Sequence, residues 1–382
     1  MINTRSLIPV ALLTMANALV YSTYLTRLPD LRDQAGIATS QVGAAMAIGN
    51  FSGLLAALVA TPLVNRFGSR RMVLVAGPFH VATLPLLGCA RDGWTLVGAL
   101  VAMMSFNALV DVALIVQMAA LGRRRGTSVM GRMAGLYGIG TMAGGTVASL
   151  LGVWRVAAPV HFSGLALLLM LIFPFVRRRL VDEPSTSAPE QTVGGPAFAL
   201  VPVVLVGVMA ALIVPMDVVP GEFTTFRLRD DLGLSASLTS TGYVVITTSV
   251  TLARFACDRL VHRWGARQVF AAGLLISVLG VSGLTLAGNP VIAFVGAALA
   301  GAGGGLLAPI LSERAACIGT AHRGVGAMVI CDRLAGFATP AVLGLLAGQT
   351  TTIGVAMAWV VLPCVAIALA LTRTTFAPRP RG

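Results

Sequence analysis

Leu63-Val64-Asn65-Arg66-Phe67-Gly68-Ser69-Arg70-Arg71 recurs as Leu260-Val261-His262-Arg263-Trp264-Gly265-Ala266-Arg267-Gln268, 197 positions later. The same offset maps Leu31-Arg32-Asp33 onto Leu228-Arg229-Asp230 and Gly36 onto Gly233. An R-x-G-x-R core matches easily by chance. Two separate matches in one gap-free register, both flanked by apolar runs, instead point to a duplicated half.

Composition supports a membrane reading. With 57% hydrophobic and 11% charged residues and a mean hydropathy of +0.88, a single water-soluble core is implausible. All 27 basic residues are arginine. They sit at the ends of apolar segments, as spans require, so the net charge of +13 does not indicate nucleic acid. Cys89, Cys257, Cys317, Cys331 and Cys364 lie far apart, with no C-x-x-C and no histidine at ligand spacing, so neither a disulfide framework nor a metal site is expected. The absence of lysine excludes a Walker A motif, and with it an ATP-driven pump in one chain. No H-E-x-x-H or comparable catalytic constellation suggests an enzyme, and no cofactor is expected.

A span needs about 20 apolar residues. Twelve segments meet that length: 7–26, 40–61, 72–90, 94–121, 128–151 and 157–176, then 197–219 with a possible extension to Phe226, 236–256, 268–287, 290–311, 324–348 and 352–371. The first helix reads as retained, not as a cleaved signal. The chain therefore divides into an N-terminal six-helix bundle (1–176), a polar linker (177–196) and a C-terminal six-helix bundle (197–382). Nineteen arginines fall on one face and six on the other, which places both termini in the cytoplasm.

Twelve helices in two six-helix repeats with a basic Gly-turn after the second helix resemble the major facilitator superfamily, whose signature there is roughly G-x-x-x-D-R-x-G-R-R. The first copy has Thr61 for the usual Gly and Asn65 for the usual Asp, while the second keeps an acid one turn earlier, at Asp258. Thr26-Arg27-Leu28-Pro29, Asn107-Ala108-Leu109-Val110-Asp111-Val112-Ala113, the Gly-rich 135–145 stretch, and Asp217 with Glu222 resemble the YbjJ-type branch, more distantly the fucose–proton symporters. Ile115 stands where that branch usually has Asn, and Ala134 where it often has His. The resemblance implies an all-α fold of twelve transmembrane helices around a central cavity. It also implies a monomeric plasma-membrane carrier moving a small solute by alternating access, with protons as the coupling ion. Efflux by antiport is the alternative, though Gly140 to Gly145 has Thr141 where the antiporter motif has proline.

Ionisable residues inside spans are the site candidates, because charge at bilayer depth costs several kcal/mol unless paired or hydrated. Asp111, Asp332 and Arg333 lie near mid-span. They read as proton or substrate groups, the last two alternatively as a structural pair. Asp217, Glu222 and Arg27 join them through the resemblance. Arg66, Gly68, Arg70, Arg71, Arg259, Arg263 and Gly265 form the two Gly-turns and are expected to gate. The resemblance implies that Arg132 approaches Asp258 when one side is closed. Pro220, with no N–H for the Met216 carbonyl, and Gly221 predict a broken seventh span whose break lets Asp217 and Glu222 face one cavity. His80 and His161 are expected to be packed and hydrogen-bonded. The 301–305 glycine run is expected to serve close helix packing, since no strand precedes it.

Overall fold

The computed structural model describes residues 7–125, 129–180, 200–316 and 321–376, and all regular structure among them is helical. The chain divides into two compact units, Met1–Gln191 and Thr192–Gly382. The first holds α1 (Leu7–Thr26), α2 (Leu28–Ala35), α3 (Thr39–Phe67), α4 (Ser69–Gly88), α5 (Gly93–Arg125), α6 (Met130–Val153), α7 (Ala158–Met170) and α8 (Ile172–Val176). The second holds α9 (Leu200–Phe226), a π-helical turn (Arg227–Asp231), α10 (Ala236–Trp264), α11 (Ala266–Leu286), α12 (Pro290–Ala316), α13 (Ala321–Ala347) and α14 (Ile353–Thr375). Most of the expected linker, including Asp182 and Glu183, lies outside the described residues.

Among the described residues, eleven segments are long and apolar enough to cross a membrane. The α7–α8 pair forms one of them. Its helix is interrupted at Leu171, where Pro174 has no N–H for the Met170 carbonyl. The eighth expected span, α10, has the length but not the apolarity. It is rich in Ser and Thr and ends in Arg254, Asp258, Arg259 and Arg263. Those hydroxyls turn inward on their own backbone: Thr239, Thr247 and Thr251 donate to the carbonyls of Ser235, Tyr243 and Thr247. Such back-bonding hides the polarity that hydropathy counts.

Large apolar side chains such as Leu58, Leu167, Leu279 and Leu345 are exposed on the helix surfaces, the arrangement expected where lipid is the solvent. Trp94, Trp154, Trp264 and Trp359 are also exposed.

The two units pair their helices in the same order. In the first, α1 packs on α6, α3 on α5, α4 on α5 and α4 on α7; in the second, α9 packs on α13, α10 on α12, α11 on α12 and α11 on α14. The quoted Gly-turns are superimposable in conformation, with Gly68 at φ 83°, ψ 145° and Gly265 at φ 83°, ψ 148°. Each glycine N–H donates to the valine carbonyl four residues back at 2.8 Å. Gly36 and Gly233 match as well, both left-handed at φ 66° and 63°.

The glycine run of α12 lets it approach α10, α9 and, through Gly303 against Gly273 and Ser277, α11. A Cβ on Gly301 or Gly305 would lie 2.6 or 2.8 Å from the Ile246 and Val250 carbonyls of α10, and one on Gly304 would touch the Met216 carbonyl of α9 at 3.3 Å. Gly140 works likewise in α6, where a Cβ would meet the Met15 carbonyl of α1 at 2.7 Å. That packing role accounts for part of the stretch reminiscent of the antiporter motif.

Candidate functional site

Asp111 is half-buried on α5. The amide nitrogen of Asn17, on the neighbouring α1, donates to Asp111 Oδ1 at 2.7 Å. Asn107, one turn earlier on α5, donates to Oδ2 at 3.0 Å. A carboxylate at span depth thus has an amide donor on each oxygen, one from its own helix and one from across the α1–α5 contact. This is the arrangement that lets a charge exist away from water. Asn17 escaped the sequence reading because it bears no charge. A lone amide inside an otherwise apolar first span was the available signal.

The acids of the second unit are arranged differently. α9 runs unbroken through Pro215 and Pro220 to Phe226, so the expected break between Asp217 and Glu222 does not occur. At Pro220 the helix survives because a single carbonyl there, that of Met216, loses its partner, and α12 lies against it at Gly304. On a continuous helix, five residues turn the side chains about 140° apart. Accordingly Asp217 is exposed while Glu222 is buried. Asp332 is half-buried on α13, close enough to Asp217 and Arg333 to interact electrostatically with both. No salt bridge joins Asp332 to Arg333 among the described residues, and Arg333 is exposed.

At the α1–α2 end of the first unit, buried Arg27 pairs with Asp30 and donates to the Val156 carbonyl beyond α6 at 2.9 Å. Gln34 donates to the Gly88 and Ala90 carbonyls at the end of α4. The second unit makes the corresponding junction with charge. Arg227 donates to the Leu284 and Ala287 carbonyls at the end of α11 and pairs with Asp231 at 2.9 Å. Asp231 in turn accepts the N–H groups of Ile353 and Gly354 at the start of α14.

Among the gating candidates, Arg70 donates to the Arg177 carbonyl just past α8, bracing the first Gly-turn. Arg66, Arg71, Arg132, Arg259 and Arg263 are exposed, as is Asp258. Asp258 lines a cavity of about 230 Å³ in its own unit with Cys257, His262 and Glu313. Neither Arg259 nor Arg263 forms a salt bridge with it among the described residues. His80 and His161 are buried. The His161 ring meets Phe162 edge-on at 5.5 Å, but its nitrogens have no hydrogen-bond partner among the described residues, contrary to expectation.

Comparison with known proteins agrees with this architecture. The chain is 24% identical over 352 residues to an uncharacterized MFS-type transporter of Yersinia pestis, covering 91% of this chain and 90% of the relative. It is 22% identical over 358 residues to the membrane protein MosC of Rhizobium meliloti, covering 93% and 86%. Two crystal structures of the nucleoside transporter NupG share the fold. One has a TM-score of 0.78 at 14% identity, covering 98% of this chain and 99% of NupG; the other has 0.73 at 13%, covering 99% and 100%. The Major Facilitator Superfamily model matches residues 10–340, and this multi-pass, all-helical chain belongs to the major facilitator superfamily.

Proposed function

We propose that the chain is a secondary active transporter of the plasma membrane. It moves a small solute by alternating access, coupled to protons, as a monomer with both termini cytoplasmic. The observation that carries this reading is the Asp111 carboxylate, placed at span depth and held by amides of α1 and α5. An ionisable group so placed, in a family of transporters, is a natural place to load a coupling ion. The common pairing order and the matched Gly-turns support two six-helix repeats, with α10 completing the twelve spans. Within the superfamily the chain is assigned to the YbjJ-type branch, on the resemblance of the sequence elements quoted above. The test is uptake into reconstituted vesicles under an imposed pH gradient: accumulation above equilibrium, abolished by a protonophore, is expected. Equilibration that ignores the gradient would contradict proton coupling.

Two predictions concern conformational switching. Asp258 is proposed to stabilise one state of the cycle through Arg259 or Arg263 of its own unit, a bias of roughly 1–3 kcal/mol if that state buries the pair in part. Asp258→Asn should then change the labelling rate of cysteines placed on the cytoplasmic side about tenfold. Unchanged labelling in Asp258→Asn would remove this carboxylate from the gate.

Pro220 is proposed as the point where α9 bends during the cycle, because the Met216 carbonyl has no helical partner there. Pro220→Ala restores that N–H donor and should slow turnover about threefold or more at unchanged KM. A wild-type rate would show that α9 moves as a rigid rod.

A further inference from the structure

Asn17 and Asn107 pose a question that transport as such does not answer. Each turns its nitrogen to the Asp111 carboxylate, since the opposite orientation would set two acceptor oxygens against each other. That orientation leaves each amide oxygen to find a donor elsewhere. Asn17 Oδ1 and Asn107 Oδ1 are both buried, and neither has a hydrogen-bond partner among the described residues. Asn17 as a residue is only 4% exposed. A buried acceptor left unmet costs free energy, and two beside one carboxylate mark a place where something must donate.

We propose that Asn17 Oδ1 and Asn107 Oδ1, flanking Asp111, form the substrate subsite, and that its ligand is a non-anionic solute presenting O–H or N–H donors. This rests on the transport reading above and adds the chemistry of the cargo to it. The carboxylate repels anions, and the two unmet amide oxygens accept but cannot donate, so a carboxylate or phosphate on the solute is disfavoured beside them. A hydroxyl or amino group finds two acceptors and a favourable charge. Because Asn17 belongs to α1 and Asn107 to α5, one solute bridging both oxygens also ties the two helices together.

The test is thermal stabilisation of the purified full-length protein in detergent by a fixed panel. Glucose, inositol, uridine and ethanolamine represent donors; lactate, citrate and phosphate represent anions. At least one donor solute is expected to raise the melting temperature in a saturable way, with no effect of the anions. Asn17→Ala and Asn107→Ala should each raise its half-saturating concentration about tenfold, in line with loss of one hydrogen bond in a buried site. If Asn17→Ala fails to express, half-exposed Asn107 carries the test. Stabilisation by an anion, half-saturation unchanged in both variants, or no stabilisation by any panel member, which would mean the oxygens hold water only, overturns the proposal. Failure of the transport reading would look different: gradient-driven accumulation would survive in Asp111→Asn. Loss of accumulation there, with half-saturation unchanged in both asparagine variants, would leave that reading intact and overturn this one.

Discussion

Replacing Asp111 by Asn is expected to lower gradient-driven accumulation at least tenfold while downhill exchange of solute persists in part. The substitution keeps the side chain's size and removes its charge and its proton site. It also replaces one carboxylate oxygen by an NH2 group. Of the two donors now aimed at Asp111, from Asn17 and Asn107, one would face another donor and must turn away. Exchange needs only that the loaded site reorients, whereas accumulation needs a proton to be carried with each cycle or against it. Parallel measurement of both modes in vesicles separates the two. Accumulation at the wild-type level would make Asp111 a packing residue whose charge has no part in coupling.

Asp231→Ala is expected to cost about 3–5 kcal/mol of stability, the range for removing one partner of a buried ion pair. The side chains of Arg227 and Asp231 are only 6% and 9% exposed. Loss of the carboxylate leaves the Arg227 charge buried without its counter-ion and leaves the N–H groups of Ile353 and Gly354 without their acceptor. The junction is tight as well as polar, because a Cβ at Gly354 would run into the Thr285 carbonyl and the Arg227 side chain. A clear fall in the melting temperature of the purified protein is the expected readout. Arg227→Leu in the same background should recover part of the loss, because it removes the orphaned charge. Melting at the wild-type temperature in Asp231→Ala would show that water replaces the carboxylate without cost.

The duplicated register was legible because it rests on backbone demands. Gly68 and Gly265 take the same positive-φ conformation, and a chain that turns twice in this way shows it as two glycines at fixed spacing. Span positions were legible for a similar reason, since apolarity over about 20 residues is a local property. What was not legible depended on neighbours. Pro220 read as a break, yet the cost of one missing hydrogen bond is small once α12 shields the exposed carbonyl, and no local rule shows α12 arriving there. Pro174, in contrast, does coincide with an interruption, at Leu171.

The same limit applies to the candidate site. Asp111 stood out as a charge in a span, but its environment is supplied by Asn17, 94 positions away. Arg227 and Asp231 lie past the end of the expected seventh span, and their partners, the ends of α11 and α14, become neighbours only in the folded unit. Asp217 and Glu222 were expected on one face; helix continuity puts one outside and one inside. In each case a residue type was visible in the sequence and its partner was not.

The most direct test of the account is solute-induced proton movement in vesicles containing the purified protein and a trapped pH indicator, with no gradient imposed. Addition of the transported solute is expected to shift internal pH, acid for symport and alkaline for antiport from the same face, and the shift should vanish in Asp111→Asn. Solute entry with no pH change, or an equal pH change in Asp111→Asn, would contradict proton coupling through this carboxylate.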